Sequence, residues 1–152
     1  MKKQVGQLVL ASIGISFFTC AQGSNSLISV PSSYDITTTV DRFEQAVQQK
    51  GLSVFNRINH SKNAASVGMT MPASHVIIFG NPKISTKLMQ CQPSIAIDLP
   101  LKVHIWQDDT QQTWLSYYDP SYMQFNHQVT GCDAVFKKVS MALNGLAIQA
   151  AN

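Results

Sequence analysis

Three cysteines, four histidines and the pair Met69 and Met71 are the side chains of this sequence best suited to covalent or metal chemistry. Met69-Thr70-Met71 is followed four residues later by His75. Thioethers and an imidazole are ligands that a copper(I) carrier would use, although methionine is also a common filler of core gaps. The histidines His60, His75, His104 and His127 stand fifteen, twenty-nine and twenty-three residues apart, without the tight pairs of zinc motifs. Cys132 at a helix start would have its thiol acidified by the helix dipole, as a nucleophile requires. No histidine is set beside it by the sequence, and Cys91 is available as a disulfide partner. Gly80-Asn81-Pro82 can offer helix-terminal amides to an anion. Pro82 removes one of those amides, however, and a helix start by itself explains Asn81 and Pro82. Asp98, ahead of Leu99-Pro100, is of a type used for general-acid work, and equally of a type that caps a turn or pairs with Lys102. No tight acid–base, nucleophile or metal motif emerges. The expectation is a non-enzymatic chain without a cofactor, with Asn81 and Asp98 near any ligand site.

The elements that position these residues follow from periodicity. Asp35 to Val40 is β-branched and reads as a strand. Asp41 with Glu44 three residues on reads as a capping box, opening a helix that Gly51 stops. Leu52 to Ile58 alternates as a strand, and His60 to Ser66 reads as a short helix or turn. His75 to Phe79 is a short apolar run, the pattern of a strand covered on both faces. A helix follows, with Asn81 as N-cap, Pro82 at its first position, and Ile84, Leu88 and Cys91 on one face. A hairpin pairs Leu101–Gln107 with Thr113–Tyr118, and His104 shares a face with Lys102 and Trp106. The last helix, from Asp133 to Ala147, aligns Phe136, Val139, Leu143 and Leu146. This order predicts an α+β fold: a mixed or mostly antiparallel sheet packed on helices in a single compact domain.

The start of the chain reads as a secretory leader. Lys2 and Lys3 precede an apolar stretch from Leu8 to Phe18, and no further charge occurs before Asp35. Eleven helical residues span roughly 16 Å, too short to cross a bilayer. Small residues at Thr19, Ala21 and Gly23 place cleavage near residues 21–23. The expected organisation is a signal peptide over 1–21, a polar linker over 22–33 and one domain over 34–150. The mature protein is expected to be periplasmic or secreted and to lack a transmembrane anchor. Acylation of Cys20 is the alternative, though bulky Phe18 sits where lipoprotein processing expects a small residue. Removing Lys2 and Lys3 reduces the net charge from +3 to about +1. With charged residues at only 12% and no basic patch, nucleic acid is not an expected partner.

Loss of Cys20 with the leader leaves an even pair in an oxidising compartment. Cys91 continues the inward face of Ile84 and Leu88, and Cys132 opens the inward face of Phe136 and Val139. Both thiols should therefore point at the core, as a bridge between two packed helices requires.

Four segments in order, Ile78-Phe79-Gly80-Asn81-Pro82-Lys83, Leu88-Met89, Ile97-Asp98-Leu99-Pro100-Leu101-Lys102, and Trp114-Leu115-Ser116-Tyr117 with Asp119-Pro120, give the chain a family likeness. It resembles the bacterial and archaeal domain-of-unknown-function 302 family from about Tyr34 to Ala147. The resemblance implies a compact α+β domain, a homodimer and no settled activity, and it lends no catalytic residue. Two functional classes remain open. One is a non-catalytic dimeric module of the envelope that binds a small ligand or another protein near Asn81 and Asp98. The other is a copper carrier using Met69, Met71 and His75, or an enzyme of unrecognised chemistry.

Overall fold

Asp35, not Asp41, begins the first helix. Its carboxylate accepts from the Thr38 backbone N–H at 2.9 Å and from the Thr38 hydroxyl at 2.9 Å, and helix α1 runs Ile36–Gln49. The expected strand over Asp35 to Val40 is therefore the first turn of that helix. Ile36, Val40, Phe43 and Val47 recur at helical spacing, and their burial together with the cap overrides the strand preference of three consecutive threonines. Asp41 lies inside the helix, where it faces Arg57 at 3.8 Å. Gly51, at φ +67°, takes the left-handed turn after the helix, a conformation that favours glycine.

The structure is a computed structural model that describes residues 26–152; the expected leader, its cleavage site and Cys20 lie outside the described residues. Leu27–Pro31, within the stretch expected to be a linker, forms the edge strand β1. Its Ile28 and Val30 turn towards the core, a short alternation that the surrounding polar residues hide. The chain continues through β2 (Ser53–Asn59), α2 (His60–Ser66), β3 (Ser74–Gly80), α3 (Pro82–Cys91) and a 3₁₀ turn at Pro93–Ile97. It closes with β4 (Leu101–Gln107), β5 (Thr113–Tyr118), α4 (Ser121–Asn126) and α5 (Asp133–Ala151). The five strands form one sheet in the order β1-β5-β4-β3-β2, with every neighbouring pair antiparallel. This is the expected α+β domain, with a wholly antiparallel sheet. No described helix is long and apolar enough to cross a membrane.

Register divides the sheet into two faces. Opposite residues share a face, so Ile77–Val103 and Ile105–Leu115 form one apolar layer under α1 and α5, with the polar His75 on the same face opposite Ile105. There Phe43 meets Phe79 edge to face, with ring centroids 5.2 Å apart. The other face carries Ser74, Val76, His104, Trp106, Trp114, Ser116 and Tyr118. It is half exposed, with Tyr118 at 58%. A second apolar cluster gathers Leu88 of α3, Ile95 of the 3₁₀ turn, Met123 of α4, and Phe136 and Val139 of α5. Leu101 packs against both clusters and forms the seam between them.

Candidate ligand-binding site

The seam is incompletely filled. Between α3 and α5 lies a cavity of about 350 Å³, at the small end of the range for ligand sites, roughly 300–1,000 Å³. Its floor comes from both clusters: Phe79, Leu143 and Leu146 from the first, Leu88 and Val139 from the second, with Leu101 between. Helix α3 starts where it does because Asn81 caps it: the side-chain oxygen accepts from the Lys83 backbone N–H at 2.9 Å, and Pro82 takes the first position. The Asn81 amide also donates to the Gly51 carbonyl at 3.3 Å, fixing the entry of α3 to the end of α1. Ile84 sits on the face of α3 that sequence spacing assigns to the core, yet it is 37% exposed and lines the cavity. Such an apolar side chain at core spacing without burial is the local signature of a gap.

The rim of this cavity is cationic. Lys87 of α3 and Lys138 of α5 line it, no carboxylate does, and neither ammonium has a salt-bridge partner among the described residues. At one end, Cys91 closes α3 and Cys132 precedes α5, with the two sulfurs at disulfide distance and Cα atoms 6.3 Å apart. The same two helices thus wall the cavity and carry the cysteine pair.

Asp98 stands elsewhere. It lines a smaller hollow of about 170 Å³ with Lys102, Asp119 and Tyr122. The two hollows share only Leu101 and Leu143, so Asn81 and Asp98 border neighbouring cavities on either side of the seam. The Asp98 carboxylate is held at 2.7 Å from Nε2 of His127, whose Nδ1 faces the Ser94 hydroxyl at 2.8 Å. A hydroxyl, an imidazole and a carboxylate in line are the components of a nucleophilic relay. Neither Ser94 nor His127 lines either cavity, and the three side chains fasten the 3₁₀ turn to the end of α4. Spacing offered no route to this contact, since Asp98 and His127 are 29 residues apart.

The sulfur and imidazole residues distribute over both faces of the sheet. His75 lies under the helices, 8% exposed, with Nδ1 lacking a partner among the described residues. Burial first, then the positive charge of Arg57 and the neighbouring His60, holds it below the ordinary histidine pKa. Met71 instead lines a hollow on the open face with His60 and His104, while Met69 is 65% exposed. His104 Nε2 contacts the Ser74 hydroxyl at 2.8 Å, and its ring stacks on Trp106. Burial, with His60 nearby, lowers its pKa as well.

The family model for "Domain of unknown function DUF302" matches residues 28–146. The Fluoride-specific ion channel FluC 1 of Brucella suis biovar 1 is 32% identical over 105 residues, covering 69% of this chain and 41% of the channel. The Fluoride-specific ion channel FluC 2 of Brucella melitensis biotype 1 shows the same identity over 105 residues and is covered to 39%. The chain spans about two fifths of the length of these curated relatives. A crystal structure of an uncharacterized conserved DUF302 protein from Bacillus stearothermophilus superposes with a TM-score of 0.77. That likeness covers 84% of this chain and 99% of the other at 14% identity, and is one of fold. With the family model spanning β1 to α5 and the same fold in a solved member, the chain belongs to the DUF302 family.

Proposed function

We propose that this chain is an exported, non-catalytic small-ligand-binding module of the bacterial envelope that works as a homodimer. The observation that carries the binding reading is the α3–α5 cavity, an apolar space at the junction of two hydrophobic clusters. Proteins pack their interiors densely, so a gap of this size between two well-formed clusters points to an occupant. A role as an accessory module draws support from the relatives, in which the matching segment is part of longer chains named fluoride-specific ion channels. Assembly is supported by the open sheet face, where Tyr118 and Leu27 are exposed beside half-buried Trp106 and Trp114.

The cavity reading is tested with 1-anilinonaphthalene-8-sulfonate, which fluoresces in apolar sites. Wild type should give a saturable signal that Ala142→Trp, an indole placed in the cavity wall, removes. An undiminished signal in that variant would sink the reading.

One observation favours a second reading, copper carriage. His60, Met71 and His104 line a single hollow, a set of donors suited to copper(I). In this reading the donors expected at Met69 and His75 give way to His60 and His104. Elemental analysis of purified protein decides it: stoichiometric copper that is lost in His60→Ala supports carriage, and copper-free protein that takes up none on titration rejects it.

A further inference from the structure

The shape and charge of the α3–α5 cavity narrow its ligand to one chemical class. Its volume is about 350 Å³. A methylene occupies about as much space as a water in the liquid, roughly 30 Å³, so the cavity accommodates an aliphatic chain of about ten to twelve carbons. The floor offers only hydrocarbon, from Phe79, Leu88, Leu101 and Leu143. Its uncharged polar lining is limited to half-buried Asn81, whose side chain is engaged by the α3 cap and Gly51, and half-buried Ser85, so the charge that orients a ligand comes from the rim. There Lys87 and Lys138 approach from opposite walls, with no carboxylate in the lining and no ion-pair partner among the described residues. Two unneutralised ammonium groups above an apolar slot complement a single-chain amphiphile with an anionic head.

We propose that the α3–α5 cavity binds one medium-chain fatty carboxylate, its chain along the seam between the two hydrophobic clusters and its carboxylate at the rim, met by Lys87 and Lys138. This assignment rests on the binding reading above and adds the ligand class. Each methylene drawn from water into the slot tightens binding about fourfold, so affinity climbs steeply with chain length until the slot is full. The rim lysines are exposed, and their contribution is modest and screened by salt.

The test is calorimetric titration of the wild-type protein with octanoate, decanoate and dodecanoate, and with decanol as the uncharged control, all below their micelle concentrations. Affinity should rise about fourfold per methylene through this series. Decanoate should exceed decanol, and the advantage should shrink at high salt. The double variant Lys87→Ala/Lys138→Ala should weaken decanoate by up to about tenfold more than it weakens decanol, since each exposed charge pair is worth up to about a factor of five and the loss of the lysine stems affects both ligands alike. The variant Lys87→Arg/Lys138→Arg should restore decanoate. Equal affinity for decanol and decanoate, or a double variant that binds decanoate as wild type does, overturns the head-group assignment and leaves the cavity a binding site. Binding that persists in Ala142→Trp overturns the location. Failure of every chain to bind a wild-type protein that still gives the saturable anilinonaphthalenesulfonate signal overturns this assignment and leaves the cavity reading standing; loss of both overturns the two together.

Discussion

His75 is buried against the helices with an unpartnered ring nitrogen, and its titration should be visible in the stability of the whole domain. Its folded-state pKa lies below the ordinary value of 6.5 because burial, helped by Arg57 and His60, penalises the charged ring. As pH falls through about 6.5 the unfolded chain takes up the proton first, so the native state is fully favoured above that value and loses ground below it. Urea unfolding at about pH 7.5 and about pH 5.5 should show His75→Gln losing less stability over this interval than wild type. Equal losses would mean that His75 does not change its protonation on unfolding. The Ser94–His127–Asp98 contact makes a different prediction. His127→Ala removes two hydrogen bonds, one of them to a carboxylate, and should cost about 2 kcal/mol. Asp98→Ala in the His127→Ala background should add little, because both act through one contact. Additive losses would show that the two side chains stabilise the fold independently.

At the scale of elements, α3 is the least embedded of the longer helices: Leu88 is its one buried residue. It is held by the Asn81 cap at its start and by the cysteine pair at its end. A bond between Cys91 and Cys132 closes a loop with a sequence separation of 41. In the chain-entropy account, a loop of about forty residues restrained in the unfolded state is worth about 4 kcal/mol. The double variant Cys91→Ser/Cys132→Ser should therefore lose up to about that much by urea unfolding. Alkylation of denatured, unreduced protein should label neither cysteine. Two labelled cysteines per mature chain would refute the bond. Helix α1 shows how local signals compete: Thr37, Thr38 and Thr39 favour a strand by type, yet the Asp35 cap and the spacing of Ile36, Val40, Phe43 and Val47 make a helix. That spacing was available in the sequence, but the β-branched run Ile36 to Val40, five residues long, obscured it.

The whole molecule presents one covered and one open sheet face, and the proposed homodimer is the reading in which a second copy covers the open one. Light scattering at micromolar concentration should give the mass of two chains, and introducing a charge at the open face with Tyr118→Glu should shift it towards one. A monomer mass over the accessible concentration range would reject the homodimer. Export is tested independently by mass spectrometry of the protein recovered from cells. A mature N-terminus near residues 21–23 supports the leader; a chain starting at Met1 removes it, and a diacylated Cys20 would replace soluble export with a lipid anchor.

Composition and periodicity by themselves determined that these residues form an α+β domain, that His75 to Phe79 is a strand, that Asn81 and Pro82 open α3, and that Cys91 and Cys132 face the same core. Each of these properties resides in a few neighbouring residues, where side-chain alternation or a cap leaves a local trace. The expected cover on both faces of β3 is found on one only, since Val76 and Ile78 are half exposed on the other. The tertiary structure decided what depends on distant segments meeting. It placed His127 on Asp98, separated Met71 from His75 across the sheet, and drew Leu27–Pro31 into an edge strand. It also decided the cavity. Ile84, Leu88, Val139 and Leu143 each occupy an apolar position that sequence spacing assigns to a core. A gap is not a property of any one of them. It arises because two clusters, joined through Leu101, meet at a distance that their side chains do not span.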